Sequence, residues 1–151
     1  MPIATGADDR VDAFDTDVLI YAAVPGHPLG RRVRALLPEH LDDVDAVPAG
    51  VGSVLLVPEL LTKPTRIGAA GEVAALTGLL SRLELVPVDE ANAGLAVALG
   101  AAYGLGTADA VHLAAAVGVG ADRFITNNAR DFPKSIAEID VTYPADLPDP
   151  G

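Results

Sequence analysis

The chain has no cysteine and no tryptophan, one methionine, three phenylalanines and three tyrosines. Without cysteine there is no disulfide framework, no thiolate nucleophile and no cysteine-ligated zinc or iron-sulfur site. With so few rings, Ala, Leu and Val must fill the core, a composition that suits close helix packing. Positive charge is also scarce: 10 Lys and Arg stand against 21 Asp and Glu, a formal net charge of -11. That balance disfavours general attraction to nucleic acid or anionic membrane, while leaving room for a local site where metal ions offset carboxylates. No apolar run reaches the roughly 20 residues that span a bilayer, and the start from Met1 to Arg10 lacks the basic-then-apolar order of a signal peptide. The expected location is therefore the cytoplasm, without membrane contact. His27, His40 and His112 are widely separated, which argues against an ordinary histidine zinc site.

A chain of 151 residues suits one domain. Residues 1–10 read as a flexible leader, 11–144 as the folded domain and 145–151 as a C-terminal tail. Within the domain, residues 12–15 form a short strand pattern that changes into a helical run over 16–23. Pro25 to Pro28 interrupt it, and a helix resumes over 29–37 with Arg31, Arg32 and Arg34 off its apolar stripe, the best local RNA-facing patch. Residues 42–52 read as a connection and 53–57 as a buried strand, followed by a helix opening at Pro58. Helices are expected over 69–83, 90–103 and 107–116, the last with Thr107 as N-cap, and strands over 85–88, 123–126 and near 139–143. Strands alternating with helices imply a three-layer α/β/α sandwich with a central, mainly parallel sheet, whose strand ends bind ligands.

Polar residues gather at those ends. Asp15 and Asp17 follow the first strand, Glu59 stands at a second strand-to-helix junction, and Asp109 opens a later helix. Each has a local explanation as a cap or first-turn charge. Three acids in such positions are collectively harder to explain that way, and oxygen ligands suit magnesium or manganese. His112, three residues beyond Asp109, could share its helix face, yet reads better as a packed side chain than as a ligand. After the apolar run at 123–126, Thr126 and Asn128 can orient water or an oxygen-rich ligand, and Asp131 could extend the acidic pocket.

The run Phe14-Asp15-Thr16-Asp17-Val18-Leu19-Ile20, then Glu59, then Leu105-Gly106-Thr107-Ala108-Asp109-Ala110, then Ile125-Thr126-Asn127-Asn128, resembles the ordered signature of a PIN domain. The likeness covers about residues 11–143 and is greatest to VapC-like bacterial toxin ribonucleases. It implies a metal-dependent endoribonuclease, with Mg2+ or Mn2+ held by Asp15, Glu59 and Asp109, and cleavage leaving a 5′-phosphate and a 3′-hydroxyl. Asn128 occupies the usual fourth acidic position and Thr126 the hydroxyl before it; Asp17 is a supporting position. The resemblance further implies the toxin of a toxin-antitoxin pair, a homodimer, and a small antitoxin whose basic segment the net -11 charge would favour. Two alternatives stand beside it. Asp15-Thr16-Asp17-Val18 also resembles the nucleophile segment of haloacid-dehalogenase-like phosphohydrolases, which would leave Glu59 without a role. A non-catalytic PIN-like interaction domain would have lost activity through Asn128.

Overall fold

The computed structural model describes residues 10–39 and 47–151. Residues 1–9 of the leader expected over 1–10, His40 and the acidic start of the 42–52 connection lie outside the described residues.

In chain order the elements are β1 (Asp12–Phe14), α1 (Thr16–Ala23), α2 (Pro28–Arg34), β2 (Gly50–Ser53), α3 (Leu56–Arg66), α4 (Ala70–Leu80), β3 (Leu83–Val86), α5 (Glu90–Tyr103), α6 (Thr107–Gly118), β4 (Arg123–Ile125) and β5 (Asp140–Thr142). The strands make one sheet in the order β3-β2-β1-β4-β5, with every neighbouring pair parallel. Alternation along a strand sends side chains to opposite faces. Ala13 and Phe124 therefore enter a core with α5 and α6, while the next residues, Phe14 and Ile125, enter a second core with helices α1 to α4. The expected three-layer sandwich is thus the observed one.

The order also fixes where a ligand would sit. From β1 the chain works outward to β3, then returns past β1 to place β4 on its other side. This reversal opens a crevice at the carboxyl ends of β1 and β4, as in other doubly wound sheets. The register pairs Phe14 with Ile125, so the next residues, Asp15 and Thr126, emerge side by side. At the opposite end, Arg123 makes a two-pronged, buried ion pair with Asp12, at 2.7 and 3.0 Å, which reinforces that register.

Several boundaries differ from the sequence expectation. The second strand is Gly50–Ser53, not residues 53–57. A Cβ on Gly50 would lie 2.6 Å from both the Asp12 carbonyl oxygen and the Phe14 ring, and one on Gly52 would lie 2.4 Å from Leu56. Close packing thus requires the glycines that made this segment look like a loop. Ser53 Oγ accepts from the Leu55 amide, and the apolar run beyond it turns into α3, with Val54 exposed. The third strand lies two residues earlier than expected, because Pro87 has no N–H for a ladder. The preceding helix stops at Leu80, where the Arg82 carbonyl is recruited by the Ala49 amide. Thr107 is already helical, and Gly106 is the N-cap.

The arginines of α2 are not a free basic patch. Arg31 pairs with Asp149, Arg32 donates to the carbonyls of Ala145 and Leu147, and Arg34 donates to those of Ala22 and Val24. Arg31 and Arg32 hold the 145–151 segment, read from sequence as a tail, against the body, and Leu147 is buried there.

Candidate active site

Beyond the carboxyl ends of β1 and β4 lies a cleft of about 390 Å³ lined by Asp15, Thr16, Asp17, Glu59, Asp109, His112 and Asn128. Asp15 caps α1, accepting from the Thr16 amide at 2.8 Å, and its second oxygen accepts from the Thr126 hydroxyl at 2.7 Å. Both Asp15 and Thr126 are buried. Asp17, one residue into α1, accepts from the Asn127 amide at 3.1 Å through Oδ2, while its Oδ1 is buried with no partner among the described residues. Glu59, in the first turn of α3, accepts from the Thr16 hydroxyl at 2.6 Å and meets Nε2 of His112 at 2.5 Å. Asp109 opens α6, and His112, one turn later, reaches the same cleft.

The structure therefore brings together all three acids singled out from the sequence, with Asn128 and Thr126 beside them. Asn128 acts on a neighbour as well. Its side-chain amide donates to Asp131 at 2.9 Å, and its carbonyl oxygen accepts from the Asp131 backbone at 3.2 Å. Asp131 in turn is near enough to Asp109 for its charge to help raise the Asp109 pKa. Two contributors were underrated in the sequence: Thr16, hidden between two aspartates, and His112, which is packed as expected but also touches Glu59. The helical spacing of His112 from Asp109 was the available signal.

Electrostatically the cleft is strained. Burial pushes the Asp15 carboxyl above its ordinary value, against the Thr126 hydrogen bond that lowers it. Burial first, and then the charge of Asp15, raise Asp17 to about 6. Asp109 is raised by burial and next by the charges of Asp15 and Asp131. Among the described residues no Lys or Arg lines this cleft. A set of carboxylate oxygens with no Lys or Arg among them fits a hard divalent cation, and the Asp17 oxygen that has no partner among the described residues fits one equally. Among the described residues no three of these side chains already converge closely enough to form a ready-made ion site, so the fit is one of donor chemistry and not of a preassembled cage.

The raised acids predict a pH effect of definite sign. Asp17 is protonated in both states below its unfolded value of 3.8 and ionised in both well above its folded value of about 6. Between these limits the folded chain holds more protons, so stability falls as pH rises through the window. For Asp17 alone the loss is about 1–2 kcal/mol after allowance for solvent screening. Asp15 and Asp109 act in the same direction, whereas the lowered Asp146 and Asp149 act only below the ordinary carboxylate range. Denaturant midpoints should be higher at pH 4.5 than at pH 7 without divalent metal, and the difference should shrink in Asp17→Asn. Equal slopes in parent and variant would remove Asp17 as the source.

A doubly wound sheet with an acidic cleft at its reversal point defines a class of domain that comparison with known proteins identifies. A family profile described as the PIN domain matches residues 13–137, and the chain belongs to the PIN domain family. Solved structures share the fold. A toxin-antitoxin complex from Klebsiella pneumoniae matches with a TM-score of 0.68 and 23% identity, covering 88% of this chain and 97% of the other. DNA-bound VapBC from Salmonella typhimurium matches with 0.67 and 20%, over 89% and 98%. VapBC2 from Rickettsia felis, bound to a DNA fragment from its promoter, matches with 0.66 and 17%, over 88% and 98%. At these identities the likeness is one of fold. No curated protein matches in sequence. Family membership sets aside the haloacid-dehalogenase-like reading.

Proposed function

We propose that this PIN domain is a divalent-metal-dependent endoribonuclease and the toxin of a toxin-antitoxin pair. The observation that carries the reading is that Asp15, Glu59 and Asp109, from three separate elements, line one cleft whose burial burdens Asp15 and Asp109 and which no Lys or Arg lines among the described residues. Mg2+ or Mn2+ would supply charge neutralisation and an acidified water. Asp15, Glu59 and Asp109 would hold the ion. Thr126 fixes the Asp15 carboxylate, Thr16 and His112 fix that of Glu59, and α6 presents Asp109 from its first turn. Water attacks phosphorus in line with the departing 3′-oxygen, leaving a 5′-phosphate and a 3′-hydroxyl. The phosphate must approach with its cation, since the bare cleft repels it. The same negative field suits a basic segment of a small antitoxin, and a cytoplasmic homodimer completes the proposal.

Among the described residues no single helix is long and apolar enough to cross a membrane. The test of the activity is incubation of defined RNAs with the purified, partner-free protein in Mg2+, Mn2+ or chelator. Cleavage in either metal and none in chelator is expected. A folded protein inert in both metals would point to the non-catalytic interaction domain.

The fourth acid of the site is, in this reading, Asp131, oriented by Asn128. Asp131→Asn should raise the Mn2+ concentration for half-maximal cleavage about tenfold, and Asn128→Ala should raise it less, because it removes an outer partner instead of a charge. Metal titrations of the three proteins check this. A larger shift from Asn128→Ala than from Asp131→Asn would assign the fourth position to Asn128 itself.

A further inference from the structure

We propose that His112 is a positioning residue that fixes which oxygen of Glu59 faces the cleft; the inference rests on the ribonuclease reading above. Nε2 of His112 lies 2.5 Å from Oε1 of Glu59 and 3.3 Å from the Thr16 hydroxyl, which itself donates to the same Oε1 at 2.6 Å. A neutral imidazole carries one ring hydrogen. The carboxylate beside Nε2 places it there, and Nδ1, buried with no partner among the described residues, suits the bare nitrogen. Two donors thus converge on Oε1. Oε2 is left as the oxygen for a cation.

The need for such an anchor follows from the setting of Glu59. Its side chain is 32% exposed and would otherwise sample several rotamers, each lost when an ion binds. The His112 side chain is 2% exposed and immobilised in α6, the helix whose first turn carries Asp109. Helix α6 therefore sets two of the acids, one directly and one through His112. Outer partners of ligating carboxylates change metal affinity by about tenfold or more.

Two substitutions separate this role from packing. His112→Phe keeps a ring and loses the donor, whereas His112→Gln loses the ring and keeps an N–H near the Nε2 position. Calorimetric titration with Mn2+ should show H112F binding about tenfold more weakly than the parent and H112Q within about threefold of it. The turnover number for RNA cleavage should follow the same order. A packing role gives the reverse order, since Phe fills the buried site better than Gln. Should either variant not fold, Thr16→Val removes the other donor at a half-buried position and should weaken Mn2+ binding, with Thr16→Ser restoring it. A parent that binds Mn2+ and cleaves RNA, with H112F at or above H112Q or with T16V equal to the parent, overturns the positioning role alone. A parent that binds no Mn2+ overturns the ribonuclease reading and this inference with it.

Discussion

Replacing Asp15 by Asn should yield a folded protein, at least as stable as the parent near neutral pH, that has lost RNA cleavage. Asn can keep the helix cap, because its Oδ1 still accepts from the Thr16 amide, and its side-chain amide can donate to the Thr126 hydroxyl. What disappears is a negative charge in a buried place that disfavours it. Above the ordinary carboxylate value that charge opposes folding, so its removal relieves the fold. The same removal takes an anionic ligand from the proposed metal site. The expected fall in rate is on the order of a hundredfold, equivalent to about 2.7 kcal/mol of barrier. Melting temperatures and initial rates at saturating Mn2+ read both halves of the result. Parent-like rates from folded D15N would remove Asp15 from the site.

The second large effect is structural. Gly30 lies where α2 crosses α1, and a Cβ there would fall 2.1 Å from the Tyr21 carbonyl oxygen and 2.7 Å from its carbon. Backbone cannot swing aside as a side chain can, so Gly30→Ala must part the two helices. The cost is about 3 kcal/mol, the upper range for overpacking. Tyr21 also stacks on His27 and receives a hydrogen bond from Asn127, so the displacement reaches the turn after β4. Gly71, on the exposed face of α4 with nothing within 4 Å, is the control. Gly71→Ala should stabilise by about 0.5–1 kcal/mol. Urea unfolding of both variants tests the contrast, and two changes of like sign would mean that the helix crossing is not as close as described.

Those glycines also explain what the sequence made legible and what it hid. Helix α5 could be read to its ends, because Asp89 caps it through the Asn92 amide and Gly104 closes it in the left-handed conformation. Helix α1 was equally plain from the change of period after Phe14. Strand β2 was hidden, since Gly50 and Gly52 have the composition of a loop and are demanded only by neighbours distant in sequence. The apolar residues after Ser53 drew the reading toward a strand that the Ser53 turn prevents. Asp15, Glu59 and Asp109 were legible because each caps a helix or lies in its first turn. The roles of Thr16, His112 and Asp131 depend on contacts across the fold. Arg31 and Arg32 looked available for the same reason, since nothing local announces that Asp149 and Leu147 return to them.

The position of β4 between β1 and β5 has a consequence for the order of events during synthesis. A ribosome releases the carboxylates of Asp15, Asp17, Glu59 and Asp109 before Thr126, whose hydroxyl sits 111 residues beyond Asp15. Until β4 slots in beside β1, one side of the cleft is missing and Asp15 has no hydroxyl to steady it. Distant parallel pairings of this kind are slow to close. The acids of the cleft therefore wait for Thr126, and the pocket is complete only after β4 has emerged and paired with β1.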